Sequence, residues 1–139
     1  MQYNGGMQEP SIFTRIINGE IPAHRVYEDE RVIAFLDIAP LNPGHTLVIP
    51  KAQIDQLWDV SSDEYVYLWS IAQNVALRLK QVMGTDRVGV IVKGFDVPHA
   101  HIHLIPVNKN SQVSFDPTPK PEHADPAELA ALAEKLRFS

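Results

Sequence analysis

The chain contains no cysteine, which removes disulfides, thiolate nucleophiles and cysteine-ligated zinc at once. No apolar run approaches the roughly 20 residues needed to cross a bilayer, and the first ten residues lack the basic and apolar regions of a secretory signal. A membrane partner is therefore not expected, and the default compartment is the cytoplasm. Neither a G-x-G-x-x-G fingerprint nor a G-x-x-x-x-G-K phosphate loop occurs, which disfavours a doubly wound nucleotide fold. Any phosphate must be held another way. The formal net charge of −5 leaves no basic stripe for nucleic acid, although a few oriented donors can still bind a small anion on an acidic protein.

What is present describes one ordinary globular domain. With 139 residues, 45% hydrophobic and 21% charged, the chain can bury roughly two thirds of its unfolded surface in a single core. Residues 1–10 read as a flexible leader and 11–139 as the domain. A short helix is predicted from Ser11, which can cap it, to Gly19, which suits a left-handed stop. Strands are predicted at His24 to Glu28, Val32 to Asp37 and Thr46 to Ile49, the first two joined as a hairpin and the last two separated by a proline-rich loop. A long helix over Ser61 to Met83 has the spacing of a capping box in Ser61-Ser-Asp-Glu64, a stop at Gly84, and a stripe of Val66, Trp69, Val75, Leu79 and Val82. Two more strands follow at Val88 to Val92 and Ala100 to Val107. Residues 108–124 lack any period and read as an irregular loop or arm, and 125–138 as a final helix with proline at its first position. The order indicates an α+β domain with a mainly antiparallel sheet.

Half of the six histidines fall in His99-Ala-His101-Ile-His103. On a strand, that alternation puts three imidazoles on one face and Ala100, Ile102 and Leu104 into a core. A row of imidazoles is poor packing, so chemistry is the better explanation. Two chemistries remain open on these residues alone. Neutral imidazoles ligate zinc, iron or copper, and a neutral imidazole can attack phosphorus while its neighbours bind or protonate departing oxygens. Histidine titrates close enough to neutrality to serve in each role.

The segment His99-Ala-His101-Ile-His103-Leu-Ile resembles the signature of the histidine triad (HIT) family of nucleotide hydrolases and transferases. Ser-Ile-Phe-x-x-Ile-Ile-x-Gly-Glu-Ile-Pro-Ala from residue 11, Ala-Phe-Leu-Asp-Ile-Ala-Pro from 34 and Pro-Gly-His-Thr-Leu-Val-Ile-Pro-Lys from 43 are similar to the same family, in its order. The resemblance implies a HIT-like fold with a five-stranded sheet, a short N-terminal helix, one long helix and a C-terminal helix, paired as a homodimer. It implies that His101 is the nucleophile, that His99 and His103 contact phosphate oxygens and assist the leaving group, and that His45 supports them. Asp37 would accept from ribose hydroxyls; Phe13, Ile16, Ile21, Phe35 and Ile38 would hold a base, adenine above all. The reaction implied is release of AMP from a dinucleoside polyphosphate or a phosphoramidate through a nucleotidyl-histidine.

Two departures from the family pattern are visible. Many bacterial relatives carry a structural zinc on Cys-Ile-Phe-Cys and histidines; here Ser11-Ile-Phe-Thr14 and Gln53 stand at those positions, so no metal and no cofactor is expected. The segment before the triad usually contains Gly-Gln, whereas this chain has Lys93-Gly-Phe95-Asp96. That leaves Lys93 and backbone amides to meet phosphate oxygens, and it opens a rival reading as a binding or interaction module with little turnover.

Overall fold

The computed structural model describes residues 8–111, 113 and 121–139. Helix α1 spans Ile12–Ile17, followed by strands β1 (Arg25–Glu28), β2 (Val32–Leu36) and β3 (Thr46–Pro50). A 3-10 turn at Leu57–Asp59 leads to helix α2 (Ser62–Met83), strands β4 (Arg87–Ile91) and β5 (Ile102–Val107), and helix α3 (Pro126–Leu136). The five strands form one antiparallel sheet in the order β1-β2-β3-β5-β4. This is the α+β, HIT-like arrangement that the sequence predicts.

Period-two alternation sorts the central strands between two apolar clusters. Val32, Ala34, Leu36, Val48, Ala100, Ile102 and Leu104 face α2 and α3, where Leu68, Ile71, Val75 and Leu79 complete the main core. Ile33, Phe35, Leu47 and Ile49 face the other way and are covered by Phe13 and Ile16 of α1. Because both faces are covered, β2 and β3 are buried along their whole length, which accounts for their unbroken apolar runs.

Local signals placed most element ends, and three expectations need correction. Ser61 sits at the cap of α2, but its side chain makes no capping hydrogen bond; the Glu64 carboxylate instead accepts from Arg31 Nε at 3.0 Å. The buried stripe of α2 runs through Leu68, Ile71, Ala72, Val75 and Leu79, so Val75 and Leu79 were legible while Val66 is 69% exposed. β5 begins at Ile102, and His99 and His101 precede it. Gly84 stops α2 in the left-handed region at φ 67°, as predicted.

The ends of the domain are tied down by polar contacts. Of the leader expected over 1–10, residues 1–7 lie outside the described residues, while Glu9 O accepts from Gln53 Nε2 at 2.7 Å and so fixes the approach to α1. Of the expected arm, residues 112 and 114–120 lie outside the described residues; its far end is docked, since Ala124 N donates to Ile38 O at 2.8 Å. Asp125 caps α3 by accepting from Ala127 N at 3.1 Å. The helix ends at Leu136, two residues short of the predicted end, and Phe138 N donates to Val26 O at 3.1 Å.

Candidate active site

His99, His101 and His103 are carried by the turn and strand that follow β4. His99 N donates to Val97 O at 2.8 Å and Ala100 N to Ile54 O at 2.6 Å, which fixes the backbone just before β5. His103 then lies in mid-sheet, opposite Leu47 of β3 and Ile91 of β4. The rings of His101 and His103 pack edge to face with centroids 4.9 Å apart, closer than the ~7 Å repeat of side chains along one strand face, because the two rings tilt towards each other. On its other side, His101 meets the Phe13 ring at 5.1 Å.

Each imidazole is held through a ring nitrogen, and the partners dictate the tautomers. His99 Nε2 lies 2.7 Å from Pro50 O, a carbonyl that can only accept, so Nε2 carries the proton. Its Nδ1 then accepts from the Ser11 hydroxyl at 2.7 Å. His101 Nδ1 lies 2.7 Å from His99 O, so Nδ1–H donates and the lone pair resides on Nε2. Leu41 N donates to His45 Nδ1 at 3.0 Å, which puts the His45 proton on Nε2. That proton faces His103 Nδ1 at 2.9 Å, so a neutral His103 carries its own proton on Nε2. These contacts leave an unprotonated Nε2 on His101 and a protonated Nε2 on His103, in rings whose centroids are 4.9 Å apart.

Electrostatics favour these neutral rings. Burial pushes His45 and His103 down to about 4, and the neighbouring imidazoles lower His103 further. Burial also lowers His99 and His101, opposed at His101 by the bond to His99 O and by the charges of Asp96 and Asp37. Asp37 moves the other way, its carboxyl raised by burial. One of its oxygens accepts from Ala39 N at 2.9 Å, so it stabilises its own turn; the other lies 3.6 Å from His45 Nε2. Asp37, His45 and His103 each offer one potential metal ligand atom, all within 4.8 Å of one another.

The fold brings together most of the residues singled out from sequence. Phe13, Ile16 and Phe35 are buried in the α1-side cluster with Ile21 packed against it, next to His99 and His101. Ile38 stands apart from that cluster and is 51% exposed, beside Asp37. Lys93 lies on the wall of a cleft that also includes His101. His99 differs most from expectation: it is fully buried and both its nitrogens are engaged, so it cannot reach a phosphate in this arrangement. It positions His101 instead.

Sequence reasoning missed how His99 is held. Thr14 Oγ1 donates to Gln53 Oε1 at 2.5 Å, Ser11 N donates to the same oxygen at 2.8 Å, and Thr14 N donates to the Ser11 hydroxyl at 3.0 Å. The residues standing where many relatives carry zinc ligands thus form a hydrogen-bonded group around His99. Ser11 was legible as a helix cap; its bond to a residue 88 positions away leaves no local signal. The cleft beside His101 was missed too, because Trp58 and Phe95, which help to line it, belong to no motif.

The sequence pattern of the HIT domain matches residues 18–110 of this chain. The chain belongs to the HIT family. A HIT-like protein of Methanocaldococcus jannaschii is 44% identical over 101 residues, covering 68% of this chain and 77% of that protein. A purine nucleoside phosphoramidase of Escherichia coli is 37% identical over 109 residues, covering 71% and 88%. Among solved structures, a Hit-like protein of Bartonella henselae, involved in cell-cycle regulation and holding an unknown ligand, superposes with a TM-score of 0.84 at 32% identity over 99% of this chain and 98% of that one. The triad and the pattern around His45 lie inside the matched HIT region, whereas α1, with Ser11, Phe13 and Thr14, lies before it.

Proposed function

We propose that this HIT chain is a metal-independent nucleotidyl hydrolase that releases a purine nucleoside monophosphate, AMP above all, from a phosphoramidate or a dinucleoside polyphosphate. The observation that carries the reading is the pair of opposed tautomers: a lone pair on His101 Nε2 next to a proton on His103 Nε2. His101 Nε2 attacks the α-phosphorus, the N–P bond forms and the bond to the leaving group breaks. His103 Nε2–H donates a hydrogen bond to the leaving nitrogen or oxygen as negative charge develops there, His45 Nε2–H holds that ring in place at Nδ1, and the leaving atom takes its proton from water. The positive charge that develops on the nucleotidylated His101 is met by His99 O at Nδ1–H and by the nearby Asp96 and Asp37 carboxylates. The hydroxide so formed attacks phosphorus, the N–P bond breaks back to the lone pair of His101 Nε2, and the monophosphate is freed.

Asp37 takes the ribose hydroxyls in this reading, and Phe13, Ile16, Ile21, Phe35 and Ile38 the base. The phosphoramidase name of the Escherichia coli relative supports the substrate class. The active form is taken to be a homodimer, with β4 as an edge strand whose Val90 is half exposed as one surface for pairing; light scattering on the purified protein tests this. No helix among the described residues is long and apolar enough to cross a membrane, and the reading includes neither a membrane nor a nucleic-acid partner and places the protein in the cytoplasm.

The second reading is a metal enzyme built on Asp37, His45 and His103. Against it, the two imidazole nitrogens nearest each other are joined by a 2.9 Å hydrogen bond, which a shared ion would have to replace. One experiment addresses both. Adenosine 5′-phosphoramidate and diadenosine tetraphosphate are each mixed with the protein in EDTA, quenched, and followed by AMP release and intact mass. The reading requires AMP, a transient adenylyl adduct, and loss of both in His101→Ala with nucleotide binding retained. Activity that EDTA abolishes and added zinc restores would favour the metal site, and binding without turnover would favour an interaction module.

A further inference from the structure

The cleft beside His101 has a volume of about 500 Å³, inside the roughly 300–1,000 Å³ range of small-molecule sites. It lies between the segment at 55–58 and the loop at 92–98, with His101 and Ala100 on its wall. Leu57, Val92 and Pro98 give it apolar lining. Trp58 and Phe95 also line it, although they are 73% and 85% exposed. Two large aromatic rings held in water beside a nucleophile are not explained by core packing. Of the residues assigned to the substrate or the attack, the cleft shares His101 and Lys93, whereas Asp37 and the Phe13 cluster that would hold the nucleoside are not among its lining.

In-line displacement sends the leaving atom away from the attacking nitrogen. Whatever that atom carries must be housed near His101 and outside the nucleoside slot. The charge of the lining decides its chemistry: among the described residues that line it, Asp55 is the one acidic group and Lys93 the one cation, so their formal charges cancel, and Asp96 lies close enough to act on His101. A polyphosphate bridge would bring further negative charges into a space with no surplus of positive charge. An uncharged planar ring needs no such surplus and can stack on indole and phenyl faces.

We propose that the cleft bounded by Trp58 and Phe95 is a leaving-group subsite, and that it takes a planar aromatic group joined to the nucleotide through a single phosphoramidate or ester bond. The proposal rests on the nucleotidyl-hydrolase reading above and selects between its two substrate classes. No second phosphate is accommodated; the aromatic amine or alcohol departs hydrogen-bonded to His103 Nε2–H, takes its proton from water, and AMP follows.

The test compares kcat/KM for three adenosine substrates: the unsubstituted phosphoramidate, a phosphoramidate of an aromatic amine, and diadenosine tetraphosphate. The aromatic phosphoramidate is expected to lead the other two. The ratio of aromatic to unsubstituted phosphoramidate should fall about tenfold or more in Trp58→Ala and in Phe95→Ala, the range that base–aromatic stacking gives on alanine substitution. Trp58→Phe, which keeps a ring, should restore most of it. A ratio that neither alanine variant changes overturns the proposal while leaving the hydrolase reading intact, as does a preference for diadenosine tetraphosphate. A change of oligomeric mass in Trp58→Ala at constant ratio also overturns it, assigning the rings to a protein interface. No turnover of any of the three removes the hydrolase reading and the subsite with it.

Discussion

Replacing Ser11 should destabilise the domain by two separable mechanisms. The hydroxyl accepts from Thr14 N as the cap of α1 and donates to His99 Nδ1 at 2.7 Å, and both residues are buried. Losing a serine cap to alanine costs about 0.5–2 kcal/mol, whereas glycine at the same position costs only a few tenths. Leaving the His99 nitrogen without a donor costs about 1–3 kcal/mol more, whichever residue replaces serine. Ser11→Ala should therefore lose about 1.5–5 kcal/mol and Ser11→Gly about 1–3. For a domain of this size, about 3–4 °C of Tm is lost per kcal/mol, giving drops of about 5–20 °C and about 3–12 °C, read by calorimetry at pH 7.5. A Ser11→Gly variant that melts within about 1 °C of the parent would refute the claim that the hydroxyl satisfies His99. Ser11→Thr, which keeps the hydroxyl, should lie nearest the parent.

Other consequences of the geometry are open to simple assays. His45→Ala removes the donor to His103 Nδ1 and should lower kcat by about 10²-fold for a basic leaving group such as ammonia; a leaving group that departs without a proton should be far less affected, and equal losses would argue against a role through His103. Stability should fall on acidification. His45 and His103 are held down to about 4, so the unfolded chain binds more protons than the folded one below about 6.5. Their contribution is complete above that pH and is lost as pH drops towards 4. Asp29, held down to about 2 by the hydroxyls of Tyr67 and Tyr27 and the amides of Arg31 and Val32, adds a further loss from its ordinary value of 3.8 towards 2. Asp37 works the other way, because its raised carboxyl gains a proton first in the folded state. Urea titrations from pH 8 to 4 check the sign, and a flat profile between 6.5 and 4 would refute the assignment of neutral buried rings. Gly44→Ala should cost about 1–3 kcal/mol, since Gly44 has φ 91° and an added Cβ would meet Pro106 Cγ at 2.9 Å; urea denaturation measures it, and an unchanged midpoint would contradict the packing.

The sequence by itself determined the fold class, the positions of most elements and the membership of the HIT family. Those features are encoded over short spans: unbroken apolar runs in β2 and β3, Ser11 and Asp125 as caps, Gly84 as a stop, and three histidines two residues apart. The Ser61 cap and the face of α2 were misread because a tertiary partner outweighed a local preference, Arg31 drawing Glu64 away and the sheet selecting Leu68 and Ile71 over Val66. Tertiary structure alone decided the protonation pattern of the site. A tautomer is set by what each ring nitrogen faces, and those partners are supplied across 58 residues for His45 and His103, 49 for His99 and Pro50, and 88 for His99 and Ser11. It also decided that His99 is buried with both ring nitrogens hydrogen-bonded, and that Trp58 and Phe95 share a cleft with His101. No local pattern encodes these, because they arise where separate loops and strands meet at one end of the sheet.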